Sequence, residues 1–152
     1  AARPPPAFLD GDPRIARLVP DYRAAEEAYF DHTGIFPIMH AIVIKRETYD
    51  AHRWIARNLF DAFDHAKNNS VRRLHEFDAS QIAVPWMPDI AKGITSRFFP
   101  NGDYWPYGIE QNRTTLEAFL KYCFDQGVTR RHLAPDELFV EQASEPAPKP
   151  GV

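Results

Sequence analysis

Residues Ile35 to Lys45, IFPIMHAIVIK, constrain the fold of this chain more than any other stretch. The run is rich in Ile and Val and nearly continuously apolar, the pattern of a strand buried on both faces in a parallel or mixed sheet. The strand is predicted from Pro37 to Lys45, with Pro37 tolerated because it stands at the start. A strand exists only through its ladder, and each buried backbone group left unpaired costs on the order of 1–3 kcal/mol. No second β-rich run occurs in the 152 residues. The expectation is that this strand pairs with strands outside the sequence, either an N-terminal half or a second chain that completes the sheet. The opening Ala1-Ala2-Arg3-Pro4-Pro5-Pro6, loop-like and without an initiator Met, agrees with an upstream segment.

The rest reads as helical. A short helical stretch is predicted over Arg14 to Val19, between an irregular proline-rich entry and a clearer helix that starts near Pro20-Asp21 and is stopped by Thr33-Gly34. Helical character resumes at Arg46, breaks around His52 to Trp54 and continues to about Glu76. There Ile55, Leu59, Ala62, Phe63, Ala66, Val71 and Leu74 form the apolar stripe. Pro85 to Phe98 is helical with Pro88 in the first turn. A loop, FPNGDYWPYG, spans Phe99 to Gly108. The most regular helix spans Ile109 to Gln126, with Leu116, Phe119, Leu120, Cys123 and Phe124 on one face. A short helix over Leu133 to Phe139 carries Pro135 early, and residues 141–152 form a disordered Pro-rich tail.

Composition removes several function classes. Hydrophobic residues make up 44% and charged residues 26%, which fits neither a disordered nor a membrane protein. No run approaches the roughly 18 apolar residues of a spanning helix, so no membrane insertion is expected. Net charge is −3, from 18 basic and 21 acidic residues, and predicts no nucleic-acid partner. The single cysteine, Cys123, excludes an internal disulfide framework and reads as a small apolar residue in a helix. The histidines show no metal-ligand spacing. There is no Gly-rich phosphate loop, HExxH or GxSxG. No cofactor is implied.

Three places carry residues suited to chemistry. Arg3, beside rigid prolines, can clamp a carboxylate through two parallel hydrogen bonds; it also reads as a solvated arginine near the terminus. His40, inside the apolar strand, is either an acid/base group at a cleft or a core histidine satisfied by a carbonyl. In the loop Asp103 to Gly108, Trp105 and Tyr107 can wall an aromatic ligand, or the loop simply staples a helix to the core. Glu110, Asn112 and Arg113 follow at the helix start, where they either line the same cleft or form an exposed helix terminus.

The ARPP at 2–5, AFLDGDPRIARLVPDYRAAEEAYFDHTGIFPIMH at 7–40 and WPYGIEQNRTTLEAFLKYCFDQG at 105–127 together resemble the 4,5-dihydroxyphthalate decarboxylase family. That family is related to substrate-binding proteins of the nitrate/taurine transport type. The resemblance runs to the DELF segment at 136–139 and matches the family's C-terminal half. It implies an α/β chain, the C-terminal portion of a type 2 periplasmic-binding-protein-like two-lobe fold, mostly helical here with one central strand. Residues 1–140 would form one domain, and the strand would cross between lobes with His40 near the hinge.

The implied reaction is non-oxidative decarboxylation of a hydroxylated aromatic dicarboxylate to protocatechuate and CO2. Such an enzyme needs a cationic clamp for the retained carboxylate, a proton donor and a dry pocket. Chemistry gives Arg3 the clamp, His40 the proton and Trp105 and Tyr107 the ring walls, with Glu110, Asn112 and Arg113 lining the substrate site. The alternative is a binder that captures a small anion or aromatic acid for an ABC-type importer; an inactive remnant is a third reading. The enzyme is expected in the cytoplasm and the importer binder in the periplasm, and either can be a homo-oligomer.

Overall fold

The computed structural model describes residues 3–74 and 84–140. The chain groups into two compact units, Ala1–Ile35 and Phe36–Val152. The Pro-rich tail at 141–152 and the predicted end of the long helix at Glu76 lie outside the described residues.

The first unit holds two helices. Helix α1, Pro6–Leu9, starts on a proline, whose missing N–H costs nothing at a helix N-terminus. The helix predicted over Arg14 to Val19 is absent, and residues 14–19 run as bends and loop. The Asp12 carboxylate accepts the Arg14 backbone N–H at 3.0 Å and the Arg14 guanidinium at 2.7 Å. That local bond competes with a helical turn, and Pro13 and Pro20 bracket the stretch. Arg17 instead lies 4.4 Å from the centroid of Tyr22. Helix α2, Tyr22–Thr33, has the predicted boundaries. The Asp21 carboxylate accepts the Ala24 N–H at 3.2 Å, and Gly34 at φ 66° closes the far end by donating to the Phe30 carbonyl at 2.7 Å. No described residue of this unit is buried.

The second unit overturns the fold expected from the sequence. No strand or sheet occurs among the described residues, so the chain is not an α/β fold with a central strand. Residues 37–45 are irregular, and Ile38, Met39, Ile42 and Val43 face solvent, Val43 with 88% of its surface exposed. Apolar content had suggested a strand buried on both faces. Among the described residues no second strand pairs with it, and without a ladder the local β preference does not become a strand. The head of the segment is nonetheless fixed. The Phe36 ring packs edge-on against Phe98 and Phe99, at 5.5 and 5.1 Å, and the Phe36 carbonyl accepts the Thr115 hydroxyl at 3.3 Å.

Helix α3, Arg46–Ala51, and helix α4, Trp54–Leu74, are separated at His52 and Arg53, as the pattern predicted. The predicted stripe holds in part. Ile55, Leu59 and Val71 are half-buried as expected, but Ala62, Phe63 and Ala66 are exposed, and Ala56, buried, and Phe60, Asp64 and Lys67, half-buried, face inward in their place. Helix α5, Met87–Phe98, has Pro88 in its first turn and buries Ala91. The expected helix from Ile109 begins as a 3₁₀ turn, Glu110–Asn112, and continues as α6, Arg113–Asp125. On α6 Leu120 is buried and Cys123 half-buried, while Phe119 and Phe124 are exposed. Helix α7, Pro135–Leu138, buries Pro135. The core of the unit is small and apolar: Ala56, Ala91, Phe99, Ile109 and Leu120. It sits around the loop that joins α5 to α6.

Candidate functional site

The loop from Phe99 to Gly108 is the most densely tied part of the second unit. At its start, the Asp103 carboxylate accepts a hydrogen bond of 2.7 Å from the Lys67 ammonium of α4. Asp64, one turn before Lys67, sits 3.0 Å from the same ammonium. The Lys67 side chain is only 6% exposed, so its charge depends on these two carboxylates. Burial pulls the Lys67 pKa down. The hydrogen bonds from Asp103 and Asp64 and the charge of both more than offset this, and Lys67 titrates above the usual lysine value.

The aromatic residues then divide by role. The Tyr107 ring lies under the Lys67 ammonium at 4.9 Å and edge-on to Phe60 at 6.2 Å. Tyr107 is half-buried and committed to the interior. Tyr104 packs on Phe99 at 4.7 Å, and Trp105 packs edge-on against Tyr104 at 4.9 Å. Trp105 is 46% exposed and sits at φ 52°. Left-handed backbone at a non-glycine residue costs roughly 1–2 kcal/mol, so the surrounding contacts must hold it there. A second tryptophan, Trp86, is exposed at φ 60° just before α5.

The far end of the loop is held by Asn112. Its amide Nδ2 donates to the carbonyls of Pro106 and Gly108, each at 2.8 Å. Arg113 is equally occupied. Its guanidinium pairs with Glu110, donates to Asp136 of α7 at 3.0 Å and lies 3.8 Å from Glu117. These bonds, Glu110 first and then Asp136, raise the Arg113 pKa, and Arg113 in turn holds both carboxyls below their usual range. An open groove of about 450 Å³ between α6 and α7 is lined in part by Arg113, Glu117, Lys121 and His132. Its strong cations are already neutralised, since Lys121 pairs with Asp125. The groove is therefore a poor anion site.

The structure thus brings Trp105, Tyr107, Glu110, Asn112 and Arg113 together along one loop and helix start. Tyr107, Glu110, Asn112 and Arg113 spend their groups on one another and on the scaffold, and Trp105 offers an open face. His40 is exposed and makes no hydrogen bond or ion pair among the described residues. It stands four residues after Phe36, within about 13 Å of it along extended chain. Phe36 is joined to Trp105 by successive ring contacts through Phe99 and Tyr104. Arg3 is exposed and belongs to the first unit. Sequence reasoning missed Lys67 and Asp103. The available signal was helical spacing: Ala56, Phe60, Asp64, Lys67 and Val71 recur on one face, which puts a lysine inward between aspartate and aromatic neighbours. No group of three or more His, Cys, Asp or Glu able to hold a metal ion occurs among the described residues. No helix among them is long and apolar enough to cross a membrane.

No family model matches the chain. The chain is, however, similar to a decarboxylase. That relative is the 4,5-dihydroxyphthalate decarboxylase of Comamonas testosteroni, 29% identical over 137 residues. The similarity covers 90% of this chain and 41% of the relative, so the chain spans less than half the length of the protein it matches.

Proposed function

We propose that this chain forms part of a decarboxylase acting on a hydroxylated aromatic dicarboxylate of the 4,5-dihydroxyphthalate kind. The observation that carries the reading is the similarity to the Comamonas testosteroni decarboxylase along 90% of this chain. Because 59% of that relative has no counterpart here, activity is proposed to need further polypeptide, on the same chain or another.

The chemistry requires no redox step. In such a substrate each carboxylate is para to a hydroxyl. Removing the hydroxyl proton pushes electron density onto the carboxyl-bearing ring carbon. A general acid protonates that carbon, the carbon–carbon bond breaks, and its electron pair restores the aromatic ring as CO2 departs. In this proposal Trp105 supplies the ring face and His40 the proton. Tyr107, Glu110, Asn112 and Arg113 then act as the frame that shapes the loop.

The test uses the polypeptide as the cell makes it, with 4,5-dihydroxyphthalate as substrate. Protocatechuate and CO2 are expected to form, and H40Q is expected to abolish both while retaining substrate binding. Tight binding of an aromatic dicarboxylate with no product would replace the enzyme by an importer-type binder. Unchanged turnover in H40Q would remove His40 as the acid.

A further inference from the structure

The tightest long-range polar contact described in the second unit is made by a residue that the sequence motifs do not include. Lys67 and Asp103 are 36 residues apart, and their 2.7 Å ion pair joins the middle of α4 to the loop that carries Trp105. Around it every position of 103–108 except Trp105 has a partner outside these six residues among the described contacts, and the Trp105 ring packs on Tyr104 within them. Asp103 has Lys67, Tyr104 has Phe99, and the Pro106 and Gly108 carbonyls have the Asn112 amide. Tyr107 has Phe60 and the Lys67 ammonium. Trp105 is held at a left-handed φ of 52° with nearly half its surface exposed. A loop relaxed by its own preferences would not choose that conformation for tryptophan.

We propose that Lys67 is a positioning residue: through Asp103 and the Tyr107 ring it locks the 103–108 loop so that the Trp105 indole is presented outward as the face on which a planar aromatic carboxylate stacks. The stacking partner rests on the function proposed above, while the locking of Trp105 does not. Lys67 touches no ligand in this arrangement. Its charge faces Asp64, Asp103 and the Tyr107 ring, so its effect on a ligand is carried by loop geometry.

Two measurements test the two halves separately. The first uses this chain with W54F and W86F, which leaves Trp105 as the sole tryptophan, and reads its near-ultraviolet circular dichroism and acrylamide quenching without ligand. K67M keeps the length of the stem and removes the charge. It is expected to flatten the indole dichroism and increase quenching while far-ultraviolet dichroism stays unchanged; D103N is expected to do the same, and K67R to restore the signal. Unaltered Trp105 signals in K67M and D103N would overturn the positioning role. If K67M fails to fold, D103N on the exposed side of the pair decides. The second measurement uses the polypeptide as the cell makes it and 4,5-dihydroxyphthalate. K67M is expected to raise KM about tenfold, the loss expected when one aromatic stack is misaligned, with a smaller change in kcat. A KM left unchanged while the Trp105 signal collapses would keep the lock and overturn Trp105 as the ligand face.

Discussion

Ile109 is the side chain on which the loop and α6 jointly depend, and its truncation gives the sharpest test of how the second unit is held together. It is 1% exposed, directly after Gly108 and directly before the 3₁₀ turn that leads into α6. Ile109→Ala removes buried methyl and methylene groups and leaves a cavity, a change that typically costs 2–5 kcal/mol. Among the described residues the core of this unit is short of neighbours, with four other buried hydrophobic side chains, two of them alanine, besides Pro135 of α7. A thinly covered site collapses more easily, so the lower half of the range applies, about 2–3 kcal/mol. For a chain of this length that corresponds to a fall in Tm of roughly 4–12 °C. Ile109→Val, which removes one methyl group, should cost about 0.5–1.5 kcal/mol. Urea unfolding followed by tryptophan fluorescence is the right assay, because Trp54, Trp86 and Trp105 all lie in the second unit. The control is Val43→Ala, at a side chain 88% exposed, expected within about 0.5 kcal/mol of the parent. If Ile109→Ala moves the midpoint no further than Val43→Ala, Ile109 is not the keystone of this core and the packing described above is refuted.

Other expectations follow from single features. Residues 38–44 have no ladder, so their amides should exchange within seconds in hydrogen-exchange mass spectrometry while those of α6 stay protected; slow exchange there would show a pairing partner. Gly34→Ala should destabilise α2 by about 1 kcal/mol, since φ 66° is strained for alanine even though its methyl meets no atom within 4 Å. Gly93→Ala in α5, also with open space around the new methyl but with ordinary helical backbone, should instead stabilise the second unit by about 0.4–1 kcal/mol in the same urea assay. The docking of α7 on α6 should weaken in acid. Asp136 and Glu110 have folded pKa values held down by Arg113, and Glu137 by the Ala134 N–H and Arg131. Their contribution is complete above the usual carboxylate range of about 4 and is lost as pH falls through the lower folded values. Amide shifts of residues 129–138 should report a transition below pH ~4 that Asp136→Asn reduces.

What the sequence revealed and what it concealed separate along a physical line. Features decided by a few neighbouring residues were legible. Helix α2 starts beside Pro20-Asp21 and ends at Gly34 as expected, His52 and Arg53 break α3 from α4, and Pro88 lies in the first turn of α5. Features decided by distant partners were not. On α4 Lys67 turns inward to Asp103 while Ala62, Phe63 and Ala66 of the predicted stripe are exposed, and the apolar pattern carries no record of a partner 36 residues away. The same reasoning explains Arg14 to Val19, where one carboxylate on a neighbouring backbone N–H outweighs a weak helical preference. It also explains the segment at 37–45: β-rich composition states a preference, and only a second backbone converts it into a strand.

The candidate site shows that contrast most clearly, because its residues were identified by type and their roles are set by their partners. Tyr107, Glu110, Asn112 and Arg113 were chosen as groups that can bind a polar aromatic ligand, and in the folded chain each spends that capacity on another residue. Arg113 faces Glu110, Glu117 and Asp136, three carboxylates against one guanidinium, so a substrate carboxylate arriving there would meet net negative charge. Asn112 donates its amide N–H groups to loop carbonyls. An aromatic acid therefore finds no free charge at this junction, and the cation for its carboxylate has to come from elsewhere. The clamp expected from the sequence, Arg3, belongs to the other unit, and the proposed acid, His40, belongs to the segment without a ladder. Chemistry in this family of reactions needs all three groups converged in a water-poor cavity. In this chain Trp105 alone is held in place by a rigid frame. On the proposed function, ring recognition falls to Trp105, and proton transfer is the part that depends on whatever orders the 37–45 segment.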